Sequence, residues 1–430
     1  MIKKILIIVA LFLSFFSNLN PSSNDEIQSK IRRVLDALPA STNLGILIYN
    51  PLLEDTVYSA NHTQSMIPAS TTKLFTTAAA LEIMGGNYVL STQILADEID
   101  FSDNVLNGNI YLRGLGNSLF SSSDLDSLVG EIVNLGIKEI TGNVVGDDTF
   151  FDDVYTRDDW IKGERANVKL PAISALVLDR NTKHVRRKRR GRWRTYRIYV
   201  SNPPEHAATI LKQKLNESGI SINGKVKVDS TPRSAKVLMQ SSVVLSELIK
   251  SINKNSDNFM AEYLFKTIGA VSSGQQGNSF YSTQAILTFI EDNAIYAEGT
   301  AVVDGSGISR YDQITVGAIN GLLEKMYFDL KNFGDFYSSL SIAGVDGTLE
   351  DRISKRSEKI NFRGKTGTLN GVSSLSGYLT TKSGDELIVS MIFEFTRGGS
   401  RKYRDAQDDI IRILNDWNEE SPEETFLQGY

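Results

Sequence analysis

Apolar residues at helical spacing predict a helix near each end of the chain. Ile27, Ile31 and Val34 recur at intervals of three or four residues behind Asn24-Asp25-Glu26, an acidic segment suited to a helix N-terminus. Residues 403–417 repeat this pattern, with their apolar side chains collected on one face. Because such a helix buries its apolar face, we expect the C-terminal helix to pack on a sheet.

Alternating apolar residues predict strands close to both ends as well. Leu44, Ile46 and Ile48 occupy every second position, and a turn-rich gap separates them from Val57-Tyr58, which predicts a pair of strands. Near the C-terminus, Asn370-Gly371 is a strong hairpin signal. The strands predicted around it cover 365–369, 372–380 and 386–395.

The central part of the chain divides into helical and strand-rich stretches. Residues 70–84 are predicted to form a buried helix that ends at Gly85-Gly86, and helical spacing returns between 244 and 268. Between 88 and 236, short β-rich segments alternate with turn signals. A chain of 430 residues exceeds what one hydrophobic core usually serves. We therefore predict a catalytic domain formed by 23–87 and 237–430, with an inserted β-rich region at 88–236 made of one or two subdomains.

Composition removes several kinds of chemistry. The chain has no cysteine, which excludes disulfides, thiolate catalysis and cysteine metal sites. Its three histidines, His62, His184 and His206, are far apart in sequence, so a Ser-His-Asp triad has few candidate bases. The net charge of -5 predicts no general affinity for nucleic acid.

The first 22 residues have the features of an export signal. Met1-Ile2-Lys3-Lys4 supplies positive charge, and an apolar run follows from Ile5 to Phe16. That run of about 12 residues is too short to span a bilayer comfortably as a helix. We expect 1–22 to be a signal peptide and the protein to be exported to the periplasm or cell envelope. No small-x-small cleavage site is evident near Ser17, so an uncleaved anchor is the alternative.

Three short motifs carry candidate chemistry, and the first is Ser70-Thr71-Thr72-Lys73. Ser70 and Lys73 are three residues apart, so on a helix their side chains share one face. Burial lowers the pKa of an amine, so a lysine in a partly desolvated pocket can accept the proton of a serine hydroxyl. A serine in the first helical turn also lies beside free backbone N–H groups, which favour an oxyanion. These residues predict a nucleophile and a base without histidine.

The second and third motifs are Ser256-Asp257-Asn258 and Lys365-Thr366-Gly367. Any one motif alone is better explained by a helix cap or by a charged edge strand. Each motif also has a decoy, at 251–254, 102–104 and 382–384. The chosen set differs from the decoys in context, because a helix, a helical tail and a strand entering a hairpin follow in the right order. That agreement favours a single site built from all three.

The three motifs resemble those of penicillin-recognising serine enzymes. From about residue 25 to residue 415, the chain is similar to the D-alanyl-D-alanine carboxypeptidase/endopeptidase family of class C, low-molecular-mass penicillin-binding proteins. The further matching segments are TGNVVGDD at 141–148, AISAL at 172–176, DGSGISR at 304–310 and AGVDGTL at 343–349. The resemblance implies an α/β (α+β) domain of the penicillin-recognising transpeptidase and β-lactamase type. In such a domain, helices flank an antiparallel sheet, and a β-rich region is inserted between the first and second motifs.

The resemblance also implies the catalytic roles. Ser70 would be the acyl-accepting nucleophile and Lys73 its base. Ser256 would relay a proton to the leaving amine. The backbone N–H groups of Ser70 and Thr368 would form the oxyanion hole, in which each donor is generally worth a few kcal/mol of the barrier.

The remaining site residues would bind substrate. Asn258 would bind the substrate amide, and Lys365 with Thr366 would hold the terminal carboxylate. Gly367 would let a substrate strand approach the sheet edge closely, which a side chain would obstruct. The chain departs from the family pattern at Phe393-Glu394-Phe395, the end of the C-terminal strand, where an asparagine is often seen.

The implied activity is that of a serine DD-peptidase. It would cleave D-Ala-D-Ala, or the cross-links of peptidoglycan at D-centres, through an acyl-enzyme on Ser70 and without a metal or organic cofactor. Its expected partners are peptidoglycan stem peptides, with β-lactams as covalent inhibitors. Two alternatives stay open: a non-catalytic penicillin-binding wall scaffold, and a serine β-lactamase or esterase of the same fold.

One segment stands apart from these motifs. Residues 183–197 contain nine Lys or Arg residues interleaved with Trp193 and Tyr196, a composition that also occurs in nucleic-acid patches. In an exported, acidic chain we favour a solvated hairpin and expect no nucleic-acid partner. The sharper hypothesis is peripheral association with anionic envelope polymers or lipid head groups.

Overall fold

The structure is a computed structural model, and it describes residues 23–160, 169–296, 298–354 and 359–417. The predicted signal peptide, 1–22, lies outside the described residues. Within these ranges, no helix combines the length and the apolar character that a membrane-crossing segment needs.

Helices and strands follow the chain in a mixed order. They are α1 (Ser23–Asp36), β1 (Asn43–Asn50), β2 (Asp55–Ala60), α2 (Thr72–Met84), β3 (Val89–Ala96), β4 (Val105–Leu106), β5 (Ile110–Leu115), α3 (Ser122–Asn134), β6 (Glu139–Ile140), β7 (Val144–Asp147), β8 (Thr182–Arg189), β9 (Arg192–Tyr199), α4 (Pro203–Glu217), β10 (Ser221–Ile222), β11 (Val226–Val228), β12 (Lys236–Val244), α5 (Leu245–Lys254), α6 (Asn258–Ser273), α7 (Ser279–Asp292), α8 (Val316–Phe328), α9 (Phe333–Ser339), β13 (Ser341–Ile342), β14 (Asn361–Leu369), β15 (Val372–Thr380), β16 (Glu386–Glu394) and α10 (Ser400–Asn415).

A six-stranded sheet joins the two ends of the chain. Its strand order is β13-β14-β15-β16-β1-β2, and every neighbouring pair is antiparallel. The strand pair predicted near residue 50 and the three strands predicted near the C-terminus therefore meet in one sheet, with Ile46 opposite Met391. The predicted fold class, an antiparallel sheet flanked by helices, is confirmed.

Helices cover both faces of this sheet, and β16 shows why. Its even-numbered residues Ile388 and Ile392 are buried in a core that also contains the apolar residues of α2, α6 and α8. Its odd-numbered residues, such as Val389 and Met391, are buried against α1 and α10. Since successive side chains of a strand point to opposite faces, a strand buried on both sides must be almost continuously apolar.

The inserted region has a core of its own. Its main sheet has the order β11-β7-β5-β3-β12, and α3 and α4 contribute to the same buried cluster. The β-rich expectation was incomplete, because these two helices were not predicted. We propose that the insert begins near residue 88, as expected, but ends after Val244 instead of at 236, because β12 pairs with β3 from Lys236 to Val244.

Candidate active site

The segment before α2 presents Ser70 at the end of a buried helix. Ala69–Thr71 forms a 3₁₀ turn that runs into α2, and Ser70 is partly exposed while the following residues are buried. Ala69 has a positive φ of 51°, an uncommon backbone conformation for a residue other than glycine. The carbonyl oxygen of Pro68 accepts two hydrogen bonds, from Thr71 Oγ1 at 2.7 Å and from Ser374 Oγ at 2.7 Å. These bonds hold the turn in place.

Lys73 lies one turn further along α2 and is fully buried. Its Nζ donates to Ser70 Oγ at 2.9 Å, to Asn258 Oδ1 at 2.6 Å and to the carbonyl oxygen of Ser306 at 2.5 Å. Burial lowers the pKa of Lys73 to about 8, against the opposing charge of Asp304. An amine that loses one proton keeps two N–H groups and gains a lone pair. Lys73 can therefore keep its bonds to Asn258 and Ser306 and accept the proton of Ser70.

The loop that supplies the Ser306 carbonyl is a tight turn, and its contact with Lys73 was not predicted from the sequence. The Asp304 carboxylate accepts hydrogen bonds from three backbone N–H groups of the loop, which fixes its shape. Gly307 has a φ of 77°, and a Cβ there would overlap the carbonyl oxygen of Ala69. The loop therefore packs directly under the nucleophile turn.

The second motif occupies the junction between α5 and α6. Ser256 has a φ of 54°, and Asp257 caps α6 by accepting from the backbone N–H of Met260 at 3.0 Å. Asp257 also receives two hydrogen bonds from the guanidinium of Arg180, at 2.9 and 3.0 Å. Because Arg180 belongs to the insert, the insert anchors this motif. Asn258, the next residue, points its Oδ1 at Lys73.

The third motif lies on β14, across from the other two. The fully buried Lys365 donates from Nζ to Ser256 Oγ at 2.8 Å and to the carbonyl oxygen of Thr366 at 2.8 Å. Burial, and then the charge of Lys73, hold the pKa of Lys365 well below its usual range. Thr366 Oγ1 donates to Thr348 Oγ1 at 2.8 Å, so Thr348 supports Thr366 from the neighbouring turn.

Gly367 has a packing role that the sequence did not reveal. A Cβ on Gly367 would overlap Ser374 Oγ and would lie 2.9 Å from the carbonyl oxygen of Pro68 and 3.0 Å from the backbone nitrogen of Ser70. Glycine therefore lets β14 lie against the backbone of the nucleophile turn. It brings the next residue, Thr368, close to the same turn.

The outer edge of β14 is open beside this turn. Short β13 pairs with β14 only at Arg363 and Gly364. From Lys365 to Leu369, no strand in the described part of the chain pairs with that edge. An extended peptide can add to such an edge through its main-chain hydrogen bonds.

Hydrogen bonds and close packing thus bring the three motifs into one site. Lys73 joins the first motif to the second, Lys365 joins the second to the third, and Gly367 packs against the first. The lysines of two decoys are engaged elsewhere: Lys254 pairs with Asp346, and Lys382 pairs with an aspartate that follows α10.

Two further carboxyl groups support the site, and the sequence did not assign them. Glu394 accepts from the backbone N–H of Ile67 at 2.8 Å and from Asn43 Nδ2 at 2.9 Å, which fixes the chain three residues before Ser70. The residue that departs from the family pattern therefore has a structural role. Burial, and then the charge of Asp304, raise the pKa of Glu262 to about 8. Within the described residues, no group of three or more His, Asp or Glu side chains is placed to hold a metal ion.

Comparison with known proteins finds related carboxypeptidases. A D-alanyl-D-alanine carboxypeptidase from an Actinomadura species is 27% identical over 85% of this chain and 80% of its own length. The D-alanyl-D-alanine carboxypeptidase DacB of Haemophilus influenzae is 25% identical over 89% of each chain.

Solved structures share the fold. The crystal structure of penicillin binding protein 4 (dacB) from Haemophilus influenzae superposes with a TM-score of 0.78 at 22% identity, over 90% of this chain and 99% of that one. A predatory peptidoglycan endopeptidase from Bdellovibrio bacteriovorus gives a TM-score of 0.55 at 14% identity, over 89% of this chain and 96% of its own. The model of the D-Ala-D-Ala carboxypeptidase 3 (S13) family matches residues 27–195 and 188–416, which is most of the chain. The chain therefore belongs to the D-Ala-D-Ala carboxypeptidase 3 (S13) family and is a serine-type D-Ala-D-Ala carboxypeptidase.

Proposed function

We propose that this carboxypeptidase forms its acyl-enzyme on Ser70. The neutral amine of Lys73 takes the hydroxyl proton as Ser70 Oγ attacks the carbonyl carbon between two D-centres. The C–N bond then breaks, and the leaving amine receives a proton by way of Ser256. Water subsequently hydrolyses the Ser70 ester. The observation that carries this proposal is the contact of Lys73 Nζ with both Ser70 Oγ and Asn258 Oδ1.

The substrate-binding roles rest on β14. A peptide that lies along the open edge of β14 would place its terminal carboxylate near Lys365 and Thr366, and its amide near Asn258. A carboxylate beside Lys365 favours the ammonium form, which offsets the cost of burying that charge. The backbone N–H groups of Ser70 and Thr368 are proposed as the oxyanion hole, because Gly367 packs against the Ser70 nitrogen.

Slow deacylation is expected for β-lactam adducts, which favours a peptidase over a β-lactamase. In β-lactamases of class A, a glutamate activates the water that releases the acyl group. Glu262 is a buried carboxyl group near the site, but its pKa of about 8 leaves it mostly protonated at neutral pH, and its Oε1 accepts from the backbone N–H of Gly305 at 3.1 Å. Glu262 is therefore poorly suited to that task.

Mass spectrometry after treatment with penicillin tests the nucleophile. We expect one adduct, located on Ser70, that disappears in Ser70→Ala. Ser251→Ala, which removes the serine of the decoy motif, is the matched control and should keep the adduct. An adduct on another serine would reject the assignment. Absence of both an adduct and D-alanine release would favour the non-catalytic scaffold.

We also propose an exported protein that acts on peptidoglycan at the cell envelope. The family's reaction supports this location, since its substrate class is a wall peptide. The basic segment 183–197 supports peripheral association with anionic envelope material. Incubation with purified peptidoglycan, with separate measurement of released D-alanine and of cleaved cross-links, would separate carboxypeptidase from endopeptidase activity. Recovery of the protein exclusively in the cytoplasmic fraction would contradict the location.

A further inference from the structure

The hairpin formed by β8 and β9 concentrates positive charge. Residues 183–197, called here the basic ribbon, contain nine of the 46 Lys and Arg residues of the chain and no Asp or Glu. The rest of the chain then holds 37 cations against 51 carboxylates, a net charge of -14 with neutral histidine. β8 and β9 pair only with each other in the described structure. The ribbon is thus an exposed cationic element on an acidic protein.

Several features of the basic ribbon oppose its own folding. Arg187 lies directly opposite Arg194, and Arg189 lies directly opposite Arg192. Like charges in such positions destabilise a strand pair, and a lone two-stranded hairpin is marginal even without them. Arg190 occupies the turn with a φ of 47°, a conformation usually given to Gly or Asn. The opposed arginines therefore lower the stability of the hairpin in the free protein. An anionic ligand that neutralises the ribbon removes this repulsion.

Ion pairs with the described carboxylates do not compensate this charge. Among the described residues, no carboxylate forms an ion pair with a cation of the basic ribbon. Arg186 lies over the ring of Trp193, 5.5 Å from its centroid, and Trp193 is 61% exposed. The ribbon therefore offers an aromatic ring and unpaired guanidinium groups to solvent.

The base of the basic ribbon opens into a cavity of about 650 Å³. Lys183, His184 and Arg197 line it from the ribbon side, and Arg180 and Met260 line it from the side of the second motif. Arg180 is the residue that holds Asp257, which lies between Ser256 and Asn258. The cavity therefore connects the base of the ribbon with the residue that anchors the second motif.

One carboxylate of the same cavity is already engaged. Asp179 lines the cavity, and its carboxylate accepts from the backbone N–H and the hydroxyl of Ser122. Lys183 and Arg197 leave an excess of positive charge on the ribbon side, which suits an anionic ligand.

We propose that the basic ribbon and this cavity bind a second stretch of peptidoglycan, through the free carboxylates of its stem peptides, while another stem occupies the Ser70 site. This inference rests on the proposed function. The shape favours a polymer over a flat bilayer. Because side chains alternate along a strand, the cations lie on both faces of the ribbon, with Arg187 and Arg194 on one face and Arg186 and Arg197 on the other. A planar lipid surface would contact only one face and could not fill the concave cavity.

The test compares an insoluble polymer with a short peptide substrate. The first variant replaces the four opposed arginines of the ribbon by glutamine, namely Arg187, Arg189, Arg192 and Arg194. The second variant replaces the two cavity cations by glutamine, namely Lys183 and Arg197. The matched control replaces four exposed lysines outside the ribbon, namely Lys227, Lys236, Lys331 and Lys402. Removing the opposed arginines should not lower the melting temperature, because these pairs destabilise the hairpin.

Binding is measured by co-sedimentation with purified peptidoglycan at about 50 mM and about 300 mM salt, since screening weakens exposed charge interactions. At low salt we expect both variants to bind at least about tenfold more weakly than the native protein or the control. Their kcat/KM on a short D-Ala-D-Ala peptide should stay within about twofold, because that peptide is too small to reach the ribbon.

Unchanged sedimentation of both variants would overturn the proposal. So would binding of the native protein to phosphatidylglycerol vesicles without binding to peptidoglycan. A failure of the proposed function gives a different result, because the native protein would then leave the short peptide uncleaved.

Discussion

Replacing Lys73 by methionine should abolish acylation and, at the same time, change how stability depends on pH. The pKa of Lys73 falls from 10.5 to about 8 because the ammonium is buried. A fall of this size corresponds to roughly 3 kcal/mol of cost to the folded state while the lysine is charged. The sign follows from proton linkage: between the two pKa values Lys73 binds more protons in the unfolded chain than in the folded one, so its contribution to stability rises with pH. The methionine side chain has no proton to lose, so the variant would carry no such cost.

The magnitude can be measured as a difference between two proteins. From about pH 7 to about pH 10, this one group should raise the unfolding free energy of the native protein by roughly 2–3 kcal/mol relative to Lys73→Met. Loss of hydrogen bonds at Asn258 and Ser306 adds an offset that does not vary with pH, and it cancels in the slope. Removing the charge of Lys73 also removes one cause of the lowered pKa of Lys365, which changes the slope in the same direction.

Urea denaturation at several pH values provides the assay, with Lys325→Met as the matched control. Burial lowers the pKa of Lys325, but its bonds to Asp329 and Glu82 outweigh that effect and raise it overall. Lys325 is therefore protonated in both states across this window, and its variant should follow the native slope. If Lys73→Met and the native protein show parallel stability profiles, Lys73 is not a desolvated amine and the proposed base is wrong.

Three further predictions concern the same site. In the native protein, kcat should rise with pH and then level off, with the midpoint of the rise near the Lys73 pKa of about 8, because the base must be neutral. A kcat that does not change from about pH 6 to pH 9 would exclude Lys73 as the base. Glu394→Ala should lower the unfolding free energy by about 1–3 kcal/mol and slow acylation, because the N–H of Ile67 loses its acceptor. Glu394→Gln keeps an acceptor oxygen and should therefore lose less stability and less activity. Equal losses in the two variants would argue against the hydrogen bond. Gly367→Ala should reduce the acylation rate at least about tenfold. Adding Ser374→Ala should not restore the rate, because the new Cβ still meets the backbone around Ser70. Near-native acylation rates would refute this packing.

The elements predicted well from the sequence are those marked by the spacing of their apolar residues or by a strong turn signal. The helices at 23–36 and 400–415 each bury a regular set of apolar positions, so their period is visible, and the Asn370-Gly371 turn marks the two strands that it joins. The helices of the insert were missed although they carry local signals. Ser121 forms a capping box with Asp124, and Pro203 begins the second helix. Turn signals on either side of these helices concealed them.

The candidate site was predictable where function depends on residue type, and unpredictable where it depends on the backbone. A serine, two lysines and an asparagine in ordered motifs are visible in a sequence. The third acceptor of Lys73 is the carbonyl oxygen of Ser306, which any residue could supply, so its role appears only when the loop is folded. The reason for Gly367 is similar, because the sequence shows a glycine but not which atoms approach it.

The strained residues explain why distant parts of the chain must cooperate at this site. Ala69 and Ser256 both have positive φ, a conformation that typically costs about 1–3 kcal/mol for a residue other than glycine. Ala69 immediately precedes Ser70, and Ser256 immediately precedes Asp257, the cap of α6. The strained backbone at these two positions therefore sets the direction of Ser70 and of the second motif. The sheet restrains the first turn through Ser374, and the insert restrains the second through Arg180. The insert therefore helps to fix the geometry of the catalytic cleft as well as carrying the basic ribbon.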